Sequence, residues 1–132
     1  MLAALADVRP QAARVAMRST VIDAAVDGTG LDAAYWFANL REPVRFAAAI
    51  AALVSEGDAV FIEMGPHPVL TPAIQDIAAG TGSAALASLR RGLPERGALL
   101  ESLGAAWAHG LTPAWAAALP VGARVRLPTY PW

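Results

Sequence analysis

Two titratable side chains stand four residues apart in the segment Phe61-Ile62-Glu63-Met64-Gly65-Pro66-His67-Pro68-Val69-Leu70. An apolar run delivers Glu63, a Gly-Pro turn follows, and His67 is presented between two prolines before an apolar segment restarts. This is the pattern by which an α/β protein sets a polar side chain at the carboxyl edge of its sheet, where ligands bind. A histidine titrates near neutral pH, so His67 has the chemistry of a general base. Its other reading is a hydrogen-bonding member of the strand-to-helix turn. Glu63 could serve as a second carboxylate, pair with an arginine, or cap nearby backbone. A Glu-His pair falls short of the three or four ligands zinc takes, so no metal site is predicted.

The elements that must position these residues are legible from pattern. Met1 to Ala6 reads as a helix tail broken by Asp7 and Pro10. Arg14 to Val21 alternates as a strand, with Val15, Met17, Ser19 and Val21 on one side. Asp27-Gly28-Thr29-Gly30 is a turn. Asp32 is placed to cap a short helix through Asn39, and Pro43 suits the start of the next. Val44 to Glu56 is an amphipathic helix with Phe46, Ile50, Leu53 and Val54 on one face, closed by Gly57. Ala59 to Met64 and Ser83 to Leu89 read as strands, Val69 to Ala79 and Glu95 to His109 as helices. The last helix is expected to turn Leu99, Leu100, Leu103 and Trp107 inward and to stop at Gly110. Trp36 and Phe46 are expected in the core. Strand and helix alternate, which predicts an α/β fold with a mostly parallel sheet. Beyond Gly110 the chain becomes a proline-punctuated, aromatic tail with little to pack on within itself. Its Trp115, Tyr130 and Trp132 are interface candidates.

Composition narrows the classes of function. The 132 residues suit one small domain or part of a larger one, and the 56% hydrophobic content is rich in alanine. A net charge of −1 predicts no nucleic-acid partner and no anionic membrane surface. All ten basic residues are arginine, a bias of codon usage rather than chemistry. Without cysteine there is no disulfide, thiolate nucleophile or cysteine-bound metal. No apolar run approaches the ~20 residues of a membrane span. The opening Met1-Leu2-Ala3-Ala4-Leu5-Ala6 lacks the basic start of a signal peptide, so a cytoplasmic location is the expectation.

Five motifs in order carry a family resemblance. They are Tyr35-Trp36, Asn39-Leu40-Arg41 and Pro43-Val44-Arg45-Phe46; Gly65-Pro66-His67-Pro68-Val69-Leu70; Leu89-Arg90-Arg91; Gly110-Leu111; and Leu127-Pro128-Thr129-Tyr130-Pro131-Trp132. The succession resembles the acyltransferase domain of modular type I polyketide synthases and covers essentially the whole chain. The resemblance implies part of an α/β-hydrolase-like large subdomain with mostly parallel short strands over residues 1–109. It implies an extended post-acyltransferase linker over residues 110–132, folding back toward a ketosynthase domain. Such domains move a malonyl-type acyl group from coenzyme A to the phosphopantetheine thiol of an acyl carrier protein, with no metal or redox cofactor.

The resemblance also says what to look for and not find. The family's nucleophile is a serine in a Gly-His-Ser-x-Gly elbow, and its base a histidine in a Tyr-Ala-Ser-His or His-Ala-Phe-His motif. The sequence contains neither: Ser19, Ser55, Ser83, Ser88 and Ser102 all lack the elbow. The chain would start just downstream of the catalytic histidine and be inactive alone. In the family a backbone carbonyl at the position of Asn39 accepts a hydrogen bond from that histidine and orients it, as a carboxylate does in serine proteases. His67 would then lie at the active-site rim. Arg41 and Arg45 could meet coenzyme A phosphates or the carrier's acidic surface, or form surface ion pairs with Glu42, Asp32 or a neighbour. Arg90-Arg91 could meet an adjoining domain or form an exposed charged turn. The expected partners are the remainder of the acyltransferase domain, the carrier protein and the ketosynthase. A docking module acting through the tail, and an independent α/β domain active around His67, are the competing readings.

Overall fold

The computed structural model describes residues 2 to 123 and 125 to 129. After a 3-10 turn at Ala3–Leu5 come strands β1 (Met17–Ser19) and β2 (Ala24–Val26), then helices α1 (Ala33–Arg41) and α2 (Phe46–Ser55). Strand β3 (Val60–Glu63), helix α3 (Thr71–Ile77), strand β4 (Ala84–Ala87) and helix α4 (Glu95–Ala108) follow, and a short helix α5 (Trp115–Ala118) lies in the tail. β3 and β4 pair in parallel, with Val60 opposite Ala84 and Glu63 opposite Ala87. Parallel neighbours need a crossover; α3 supplies it, packing on both strands, with α2 on α3 and α4 on β4.

The first sheet is an antiparallel hairpin, and its second strand is not evident in the sequence. Ala24-Ala25-Val26 has weak strand propensity, so tertiary and turn contacts decide. Asp23 takes a positive φ of 52° at the turn, and Arg18 Nη2 reaches both its carbonyl and its carboxylate at 3.1 Å. Ser19 is buried, and its hydroxyl accepts from the Val21 amide at 3.1 Å. That hydroxyl also shares a 2.8 Å hydrogen bond with the Tyr35 phenol, tying the hairpin to α1. The Arg45 amide donates to the Thr20 carbonyl at 2.9 Å, tying it to the start of α2.

The helices begin and end for identifiable reasons. Asp32 caps α1 as expected, accepting from the Tyr35 amide at 2.9 Å. α1 runs on to Arg41 and stops at Glu42, whose extended ψ of 155° is the conformation a following proline imposes. Pro43 does not open α2, which starts at Phe46; it ends α1.

Among the described residues the buried apolar side chains are few: Ala49 and Ile50 of α2, Ile74 and Ala78 on and after α3, and Ala106 of α4. Two expectations for the core are overturned. Leu99 and Trp107 are exposed, whereas Leu100 and Leu103 are half-buried and Ala106 is the buried residue of α4, the helix that packs on the alanine-rich β4. Trp107 instead meets Trp115 edge-on, with ring centroids 6.4 Å apart. Trp36 is also exposed; its Nε1 donates to the Leu31 carbonyl at 2.9 Å, and its ring stands edge-on to Tyr35. Phe46 is half-buried.

The accessible surface is 9959 Å², whereas a compact monomer of this mass exposes about 6,600 Å². Leu40, Val44, Met64 and Val69 are among the apolar side chains left in the open.

Candidate functional site

Because β3 and β4 run parallel, the loops that leave them emerge at the same sheet edge. The first carries Met64 to Leu70, the second Ser88 to Pro94. Glu63, the last residue of β3, turns its carboxylate onto the start of α3. Its Oε1 accepts from the Val69 amide at 2.9 Å. Its Oε2 accepts from the Leu70 amide at 3.0 Å, the Thr71 amide at 2.8 Å and the Thr71 hydroxyl at 2.7 Å. The Val69 bond first, then the Thr71 hydroxyl and the other amides, hold this carboxyl down to about 2 from 4.5, against the upward pull of desolvation. A carboxylate so weakly basic is a poor proton acceptor. Of its possible roles, Glu63 performs backbone capping.

Ser88 locks the two loops together. It is buried, its hydroxyl accepts from the Gly65 amide at 3.0 Å and donates to the Glu63 carbonyl at 2.8 Å. The loop bearing His67 is thus clamped at one end by Ser88 and at the other by the Glu63 carboxylate. His67 Nδ1 accepts a long bond of 3.4 Å from the Arg91 amide. This contact crosses to the neighbouring loop rather than staying within its own turn. Among the described residues no serine hydroxyl is hydrogen-bonded to His67.

Asn39 sits in the last turn of α1 and is half-buried. The carbonyl before it, that of Ala38, accepts from the Glu42 amide at 2.8 Å. The donor due to the Asn39 carbonyl belongs to residue 43, a proline without N–H. Among the described residues no hydrogen bond reaches this carbonyl.

Arg41 lies over the Phe37 ring, 5.7 Å from its centroid. The expected ion pairs of Arg41 and Arg45 with Glu42 or Asp32 are absent: the salt bridge among the described residues is Arg18–Asp23 at 3.1 Å. Asp32 spends its carboxylate on the α1 cap. Arg90 and Arg91 are exposed at the mouth of the second loop. In the tail, Trp115 is half-buried against Trp107, and Arg96 Nη2 donates to the Ala118 carbonyl at 3.3 Å. Tyr130 and Trp132 lie outside the described residues. A groove of about 430 Å³ between α3 and α4, over β4, includes Pro68, Thr71, Leu86, Arg90 and Glu101 but neither His67 nor Asn39. Among the described residues no group of three His, Asp or Glu side chains could hold a metal ion, and no helix is long and apolar enough to cross a membrane.

Ser88 and Pro43 were not singled out by residue chemistry. Ser88 follows an alanine strand with no catalytic context. A signal for Pro43 was available, since a proline four residues after a helical carbonyl always leaves that carbonyl without its helical donor.

Together these elements make a mixed α/β framework with a parallel strand pair, clamped loops at its carboxyl edge and a helix-terminal carbonyl without a donor among the described residues. The sequence model of the acyl transferase domain family matches residues 1–110. Polyketide synthase GfsB of Streptomyces halstedii is 45% identical over 133 residues, covering 98% of this chain and 2% of that protein. Erythronolide synthase EryA2 of Saccharopolyspora erythraea is 40% identical, covering all of this chain and 4% of that protein. The acyltransferase domain from module 8 of the salinomycin polyketide synthase superposes with a TM-score of 0.82 at 40% identity, over 86% of this chain and 27% of that one. A loading acyltransferase from the avermectin polyketide synthase superposes at 0.75 and 35% identity, over 80% of this chain and 33% of that one. The chain belongs to the acyl transferase domain family and is part of such a domain of a modular type I polyketide synthase. It spans a few per cent of the curated relatives and about a quarter to a third of the solved domains it matches.

Proposed function

We propose that this chain is the carboxyl-terminal part of an acyltransferase that moves a malonyl-type acyl group from coenzyme A to an acyl carrier protein, and that alone it transfers nothing. The observation that carries this is the 0.82 superposition on about a quarter of a polyketide synthase acyltransferase. The surface left open beyond that of a compact monomer supports it, since apolar side chains such as Leu40, Val44 and Met64 await a covering. The covering partner is the remainder of the acyltransferase domain.

In the complete domain, a serine hydroxyl supplied by that remainder attacks the thioester carbonyl. The acyl–serine ester forms, coenzyme A leaves as its thiol, and the carrier's thiol then takes the acyl group and returns the serine. A histidine from the same remainder takes the serine proton. This chain contributes the Asn39 carbonyl, which accepts from that histidine and sets its tautomer. His67 stands at the rim, its Nδ1 near the Arg91 amide. The guanidinium groups of Arg41 and Arg45, which form no salt bridge among the described residues, are available to anionic groups of substrate or carrier. Residues 110–132 form the linker to the ketosynthase. α5 folds back on α4 through Trp115, and Val121, Val125 and Leu127 are exposed for that contact.

The test is the intact mass of an acyl carrier protein after incubation with malonyl-CoA. The chain is assayed alone and with a separately made amino-terminal part of a related acyltransferase that is itself folded. Acylation only in the mixture is expected. Transfer by the chain alone would return His67 to a catalytic role and refute the proposal.

A further inference from the structure

We propose that Pro43 is a positioning residue for acyl transfer: it keeps the Asn39 carbonyl free for the catalytic histidine by withholding the one main-chain donor the helix could offer. The inference rests on the reading that this carbonyl orients the histidine, and it explains how the fold makes the carbonyl available.

In an α-helix the amide of residue i+4 donates to the carbonyl of residue i. α1 follows this rule to its last opportunity, where the Glu42 amide reaches the Ala38 carbonyl at 2.8 Å. One step further the rule calls for an amide at position 43, where proline has none. Proline also turns Glu42 out of the helical region, to φ −83° and ψ 155°, so α1 gains no further residue. Asn39 therefore carries the first carbonyl of the terminal turn without an internal donor. The alternative role for Pro43, opening the next helix, is not what the structure shows, since α2 begins at Phe46 with Arg45 as its cap. The chain between the helices is held instead by the Arg45 amide on Thr20.

A free carbonyl at a helix carboxyl terminus is a strong partner for an imidazole N–H. It holds the ring in one tautomer, and the negative end of the helix dipole favours the imidazolium formed when the base takes its proton. Because the main chain does this, the side chain at position 39 is free to vary. Installing an N–H at position 43 gives the carbonyl a competing donor and lets α1 wind one residue further.

The experiment uses a complete domain in which this chain follows the amino-terminal part of the salinomycin module 8 acyltransferase and which forms acyl-enzyme from malonyl-CoA. Pro43→Ala and Pro43→Gly both restore an N–H, so one folded variant suffices. Acyl-enzyme formation is expected to slow ~10-fold, a share of the 10²- to 10⁴-fold that a general base contributes. The acid-side pKa in the kcat/KM profile should move down, because the imidazolium loses its acceptor. N-methylalanine in place of Pro43, which has no N–H and no ring, should restore rate and profile. An unchanged pH profile in the folded N–H-bearing variant would overturn the inference. So would an N-methylalanine form as slow as Pro43→Ala, since ring packing would then be the cause. A separate arm addresses the underlying reading: the hydroxy-acid counterpart of Leu40 makes the Asn39 carbonyl an ester, a weaker acceptor. If that form keeps the wild-type rate and profile, the Asn39 reading itself fails. If it slows while Pro43→Ala does not, the Asn39 reading stands and only the role of Pro43 is refuted.

Discussion

Replacing Ser88 by alanine isolates the clamp that holds the His67 loop. Ser88 is 2% exposed, and alanine keeps its Cβ while removing the hydroxyl. The Glu63 carbonyl loses one donor but retains the Ser88 amide at 3.0 Å. The Gly65 amide loses its acceptor altogether. The cost is thus that of one part-buried donor left unmade, about 1–3 kcal/mol. Taken at about 2 kcal/mol, the urea midpoint should fall by roughly 1 M with the slope unchanged. Hydrogen exchange localises the effect: the Gly65 amide should exchange about 30-fold faster, the same free energy expressed as a ratio. Ser55→Ala is the comparison, because that hydroxyl makes its bond to Ala52 at an exposed position and should cost within about 0.5 kcal/mol. A Ser88→Ala loss no larger than that of Ser55→Ala, with the Gly65 amide still protected, would refute the clamp.

Glu63→Gln tests the carboxylate cap through pH. A carboxyl lowered from 4.5 to about 2 by folding contributes stability that is fully present above pH 4.5 and is lost as pH falls toward 2. The wild-type unfolding midpoint should fall across that window more steeply than that of the variant; parallel curves would exclude the cap as the cause. Gly28→Ala should cost more than about 1 kcal/mol, because φ is +93° and a Cβ there would stand 2.6 Å from the Gln11 carbonyl and 2.7 Å from the Ala13 nitrogen. Gly57→Ala, with positive φ but open space around it, should cost less in the same denaturation assay; equal losses would mean that backbone strain alone decides at both positions.

Local signals determined much of this protein. The cap at Asp32, the four principal helices, the strands at Val60 and Ala84 and the strong resemblance across the chain all follow from residue type and spacing. Each of these depends on neighbours within a few positions, which a sequence displays directly. The second strand of the hairpin did not show, because Ala24-Ala25-Val26 pairs only once Asp23 turns the chain and Ser19 binds Tyr35. The inward face of α4 is legible only in part: Leu100 and Leu103 are half-buried, but Leu99 and Trp107 are exposed and Ala106 is the buried residue, because tertiary contact with β4 sets which side of the helix is covered.

The site divided in the same way. His67 and Glu63 drew attention by their chemistry, but their roles depended on partners distant in sequence: the Arg91 amide for one, the Thr71 group for the other. Glu63 became a cap because the crossover brought the start of α3 back over the end of β3. Ser88 became a clamp because parallel pairing put Ala87 beside Glu63. Asn39 entered through the resemblance, yet its free carbonyl is a matter of helix hydrogen bonding that Pro43 already encodes. What a residue can do is written in its type; what it does here was decided by which donors and acceptors folding placed within about 3 Å of it.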